Sequence, residues 1–130
     1  MATRLTSGKA RARAFCERFG LRVPILMAPM ASASPARLAV AVANAGGMGA
    51  LGALMMKPSG IAGWVAEFRG QSNGAFQLNL WVPDPPPVRD AAAEATVRAF
   101  LGQWGPEVPV EDGNTAPVDF VAQCQALLDA

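Results

Sequence analysis

Short apolar runs alternate with helical apolar stripes along this chain, and that alternation constrains the fold more than any other feature. VPILMAPM (23–30) is a continuous apolar run of strand length, as expected of a strand buried on both faces. In SASPARLAVAVANAGG, Ser34 is placed to cap a helix and Pro35 to occupy its first position. Leu38, Ala41, Val42 and Ala45 then follow at i, i+3, i+4 and i+7, and Gly46 can supply a left-handed stop. MGALGA (48–53) reads as a second strand. PSGIAGWVAEFRG repeats the helical spacing with Ile61, Trp64, Val65 and Phe68. FQLNLWV (76–82) alternates as a third strand, with Phe76, Leu78, Leu80 and Val82 on one face and Gln77, Asn79 and Trp81 on the other.

Three further helices complete the pattern. A basic one covers residues 9–19. Another starts at Asp90 and carries Val97, Phe100, Leu101 and Trp104. The last places Val121, Cys124 and Leu128 on one stripe. PDPPP (83–87) is a stiff loop. Strands alternating with helices imply a parallel sheet with right-handed crossovers. Three strands leave both sheet edges unpaired, so the pattern reads as the opening portion of a larger α/β fold, with self-association through those edges expected of the chain alone.

Composition removes several classes of function. The chain contains no histidine among its 130 residues, which excludes histidine acid–base catalysis, histidine metal ligation and Ser–His or Cys–His nucleophiles within it. A net charge of +1 argues against a general nucleic-acid binder. No apolar run is long enough to span a bilayer as a helix. Residues 1–22 carry Arg4, Lys9, Arg11, Arg13, Arg18 and Arg22 against Glu17 alone, which reads as a solvated basic helical segment rather than a transit peptide. Cys16 and Cys124 form no metal-binding pattern. They are expected to be buried, reduced thiols of a cytoplasmic protein.

GMGALG (47–52) fits the G-x-G-x-x-G pattern of dinucleotide-binding turns. That motif needs its glycines after a strand and before a helix, with an acid about 20 residues further on. Here they follow a helix and enter a strand, and Glu67 comes too early. Packing explains them better. Gly46 and Gly47 turn the chain, while Gly49 and Gly52 admit neighbouring backbone. The stronger candidates for chemistry lie where strands end. Asn79 sits near the end of the third strand, on the face away from the helices, where its amide suits a polar ligand and neighbouring backbone equally, and Pro29 interrupts the first strand at APMAS (28–32). Backbone at that end is where parallel α/β proteins bind ligands. Asp84, Arg89 and the acids at 111–112 are expected to be solvated.

P-I-x-x-A-P-M-A (24–31), N-A-G-G-M-G-x-L-G (44–52) and the N-L-W strand (79–81), in that order, resemble the N-terminal part of the nitronate monooxygenases. The resemblance continues weakly through VPVEDGNTAPVDF. It implies a flavin-binding (β/α)8 barrel that uses FMN to oxidise alkyl nitronates with molecular oxygen. The flavin ring would lie over Pro29, Met30 and Ala31, and Asn79 would contact it. On this reading residues 1–130 are the N-terminal part of the barrel domain, roughly its first three β/α units, since a complete barrel takes about 250 residues. The family's catalytic histidine and its phosphate-holding loops lie later in the chain and have no counterpart here. The chain alone is therefore expected to be inactive and to hold FMN weakly. The flavin-dependent enoyl-acyl carrier protein reductases share a similar N-terminal third and are the alternative within the fold; a non-catalytic remnant that associates with a partner is the alternative outside it.

Overall fold

A computed structural model describes residues 7–85, 88–114 and 116–130. The described residues form two units. One runs to Trp81 and resumes at Val118; the other spans Val82–Pro117.

In the first unit the elements are α1 (Gly8–Phe19), α2 (Ala36–Asn44), β1 (Gly49–Gly52), α3 (Pro58–Arg69), β2 (Phe76–Asn79) and, numbered in chain order past the second unit's α4 (Ala91–Leu101), α5 (Phe120–Leu128). β1 and β2 pair in parallel, with Gly49 opposite Phe76 and Gly52 opposite Asn79. Leu26 bridges to Met48 on the other side of β1, also in parallel. Three chain segments therefore lie side by side in sequence order, as successive strands of a (β/α)8 barrel do. The fold is part of such a barrel.

The strands are shorter than the sequence pattern implies. Residues 23–30 reduce to a single bridge, held by Met48 N–H to the Ile25 carbonyl and Met27 N–H to the Met48 carbonyl, each at 2.9 Å. Pro24 and Pro29 flank that bridge and have no N–H to extend it. Nor is this segment buried on both faces, because Ile25 and Leu26 are exposed while Met27 is buried. β2 stops at Asn79, and Trp81 and Val82 are exposed.

The helices cover one face of the strands. Phe76 points into that layer and meets Trp64 and Phe68, with ring centroids 5.7 and 4.7 Å away, and the Trp64 and Phe68 rings stack at 5.5 Å. Ile61, Trp64 and Phe68 are buried as the α3 spacing predicts. On α2 the buried stripe is Ala36, Ala39, Val40 and Ala43, and Leu38 stays exposed. The predicted stripe is thus rotated about the helix axis, and Gly49 supplies the reason. A Cβ there would lie 2.9 Å from both the Ala39 Cβ and carbonyl oxygen, so only a small α2 residue can face β1. On α5 Gln123 is buried and Ala126 and Leu127 pack on the core, whereas Val121 and Leu128 are exposed. Cys16 and Cys124 are half-buried rather than buried.

Capping departs from expectation at one place. Pro35, not Ser34, is the α2 N-cap residue, and no side chain caps that helix, which forgoes a bond worth about 1 kcal/mol. Gly46 does take the left-handed turn, at φ 94°.

The second unit holds α4 and a 3-10 turn, Val110–Asn114. Asp90 caps α4 as predicted, accepting from Ala92 and Ala93 N–H. No residue of α4 is buried; Val97, Phe100, Leu101 and Trp104 are all exposed. Arg89 is not simply solvated. Its Nε donates to Glu94 at 2.6 Å, and Nη1 donates to the Gly113 carbonyl and to Asn114 Oδ1. The hydrogen bond to Glu94, and then its negative charge, raise the Arg89 pKa, and the hydrogen bond from Arg89 is the main reason Glu94 sits below the usual carboxylate range. Pro86 and Pro87 of the PDPPP loop lie outside the described residues.

Candidate functional site

The parallel register assigns the two faces of the sheet. Gly49 and Leu51 share the helix side with Phe76 and Leu78, so Ala50, Gly52, Gln77 and Asn79 share the opposite side. On that face the residues of β1 are small, and two segments use the space this leaves. The Gln77 amide reaches across to donate to the Met27 carbonyl at 3.1 Å. Beyond it the turn after Pro29 lies against Gly52, where a Cβ would stand 2.8 Å from Ala31 N, 3.0 Å from Met30 C and 3.3 Å from Ala31 Cα. All three are backbone atoms, so glycine is required by the crossing. Gly52 is also the register partner of Asn79, whose carbonyl accepts the Ala53 N–H at 2.9 Å.

Met30, Ala31 and Asn79 therefore meet around Gly52, at the C-terminal end of the strands. Pro29 leads directly into the crossing. Met30 is exposed and Asn79 half-buried. Among the described residues, the Asn79 side chain makes no hydrogen bond with the protein. None of these groups ionises at ordinary pH, so the arrangement can bind and orient a ligand but cannot act as an acid or base.

The turn itself is closed internally. Met30 N–H donates to Ser34 Oγ at 2.9 Å, and Ala33 N–H donates to the Met30 carbonyl at 3.2 Å. Between them Ser32 adopts φ 60°, a left-handed conformation that costs a non-glycine residue about 1–2 kcal/mol. Ser34 is buried, and its carbonyl accepts from Trp64 Nε1 at 3.0 Å. The next loop is fixed from α5, where the Gln123 amide donates to the carbonyls of Ala53, Leu54 and Met56 at 3.2, 3.1 and 2.8 Å.

Sequence reasoning places Ser34 at a helix start and Gln77 on the face of Asn79 but does not find their partners, and it misses Gln123. Ser34 precedes a proline at a helix start and looks like a cap. Polarity alone gives no signal for Gln123, since α5 carries a second glutamine, the exposed Gln125, two residues on.

A depression of about 650 Å³ lies elsewhere. Arg22, Asn44, Arg69, Ser72 and Gly74 line it, beside the N-terminal end of β2. The candidate site is an open face instead of a cavity. Among the described residues no cluster of side chains could hold a metal ion, and no helix is long and apolar enough to cross a membrane.

Residues 13–128 match the family model described as nitronate monooxygenase. A nitronate monooxygenase of Paraburkholderia phytofirmans is 39% identical over 92 residues, covering 71% of this chain and 24% of the relative. Another from Pseudomonas aeruginosa is 31% identical over 103 residues, covering 77% and 29% respectively. Among solved structures, a nitroalkane oxidase from Streptomyces ansochromogenes superimposes with a TM-score of 0.64 at 28% identity, covering 84% of this chain and 31% of that one. The chain thus spans 24–31% of the length of these relatives.

Proposed function

The chain belongs to the nitronate monooxygenase family, and on that premise we propose that it builds one wall of an FMN site in a barrel domain of which residues 1–130 are the N-terminal part. The observation that carries this reading is the convergence of Met30, Ala31 and Asn79 around Gly52. A flavin ring is planar, with apolar faces and a polar rim. An open face of small residues, one exposed thioether and one amide without a partner among the described residues fits that chemistry. No cationic side chain belongs to this group, so the FMN phosphate takes its partners from other parts of the full protein, and this chain alone holds FMN weakly.

Bound FMN would supply the electron acceptor for oxidation of an alkyl nitronate, with molecular oxygen as co-substrate. The residues here orient the ring. Pro29, Met30 and Ala31 offer it a backbone turn, and Asn79 offers an amide to its rim. None of them takes a proton. The chain alone associates with itself through the open edge of β2, whose backbone groups seek a partner. A cytoplasmic location suits the free Cys16 and Cys124.

The test is to purify the full-length gene product, identify the flavin it releases, and follow oxygen uptake with an alkyl nitronate. FMN release and nitronate-dependent oxygen consumption are expected. Oxidation of NADH with an enoyl thioester, and no nitronate turnover, would move the assignment to the enoyl reductases.

A further inference from the structure

We infer that Ser34 is a positioning residue for the flavin-facing turn; the inference rests on the proposal that this turn borders FMN. Its hydroxyl stands one residue before Pro35, where it would ordinarily cap α2. It does not cap that helix, which has no side-chain cap at all. It instead turns back and accepts the Met30 N–H at 2.9 Å. With Ala33 N–H on the Met30 carbonyl, both backbone polar groups of Met30 are held inside the turn.

The hold is anchored to the core. The Ser34 carbonyl accepts the Trp64 indole N–H at 3.0 Å. Trp64 is itself buried in the aromatic trio with Phe68 and Phe76. Position is thus transmitted from α3, through Ser34, to Met30. On the far side Gly52 sets how closely Met30 and Ala31 approach β1. The turn is clamped between a hydroxyl and a glycine.

Two consequences follow. Met30 N–H is committed to Ser34, so it is not the donor that meets the flavin; the turn's contacts come from the Met30 side chain and from Ala31. Removing the hydroxyl frees Met30 N–H and lets the turn drift from the position that the ring requires, although Ser34 never touches the ring.

The experiment compares Ser34→Ala and Ser34→Thr with the wild type in the full-length gene product. Amide exchange at Met30 is measured without flavin, and the FMN dissociation constant and bound-flavin visible spectrum with it. Loss of one such hydrogen bond predicts an FMN affinity about 3- to 10-fold weaker and a shifted flavin band for Ser34→Ala. Faster Met30 exchange should accompany it, and Ser34→Thr should restore all three. Unchanged Met30 exchange or unchanged FMN binding in Ser34→Ala overturns the inference. Equal loss in both variants also overturns it, because packing and not the hydroxyl would then be responsible. A wild-type protein that binds no FMN fails at the earlier step and removes the flavin reading itself, whatever the exchange data show.

Discussion

Gly52→Ala tests the crossing on which the candidate site depends. The added methyl would stand 2.8–3.3 Å from backbone atoms of Met30 and Ala31, whereas carbon contacts are favourable near about 3.5–4.0 Å. The turn must therefore retreat by roughly 0.5 Å or more, and no flexible side chain can absorb the shift. Overpacking of this kind costs about 1–3 kcal/mol. Methyl burial and a less flexible unfolded chain offset up to about 1 kcal/mol of that. The net loss is on the order of 1–2 kcal/mol, read as a fall of about 2–4 °C in Tm per kcal/mol for a domain of barrel size. FMN affinity should fall as well, because the retreating atoms belong to the proposed flavin wall. Gly63→Ala is the matched control. It lies within α3, and a Cβ there meets nothing within 4 Å, so it should stabilise by about 0.5–1 kcal/mol. Thermal unfolding of both variants in the full-length gene product decides the matter. If Gly52→Ala is as stable as Gly63→Ala and keeps full FMN affinity, the crossing is not tight and the reasoning fails.

Other outcomes follow from the same contacts. Gln123→Met keeps the volume but removes the donor to the Leu54 and Met56 carbonyls, while the Ala53 carbonyl keeps the Met56 N–H; urea unfolding should show a loss of about 1–3 kcal/mol. Gln125→Met, at an exposed position, should cost less than about 0.5 kcal/mol. Asn79→Ala should weaken FMN binding by about 3- to 10-fold while leaving stability within about 0.5 kcal/mol, as measured by flavin titration beside thermal unfolding. Glu94, held low by Arg89, contributes stability above the ordinary glutamate pKa and loses it as pH falls through its lowered folded value. A carbon NMR titration of the Glu94 carboxyl should show the lowered value, and Arg89→Gln should raise it, with Arg98 still nearby.

The sequence pattern revealed the element order well, because each helix has a clear period and each strand is short and bounded by glycine or proline. Faces were less legible. α2 is apolar nearly all round, so periodicity alone offers two stripes, and only the contact with Gly49 selects Ala39 over Leu38. α5 posed the same problem, since its inward residue is the polar Gln123. Ordinary hydrophobic scoring turns that residue outward. Strand 23–30 was overestimated because apolar length says nothing of hydrogen-bond donors, and its prolines remove two. At the site, Asn79 and the APMAS turn could be anticipated from their places at strand ends, and Met30 and Ala31 within that turn from the family resemblance. Their meeting around Gly52 could not, since it depends on register and on a backbone crossing between residues far apart in the chain. Ser34 was noticed for the right reason, an available hydroxyl beside a helix start, and assigned to the wrong partner.

The most direct test of the central claim is a crystal structure of the full-length gene product with FMN bound. The account predicts a flavin ring against Met30 and Ala31, with the Asn79 amide within hydrogen-bond distance of its rim and Met30 N–H still on Ser34. A flavin bound elsewhere, with this face filled by protein side chains, would contradict it.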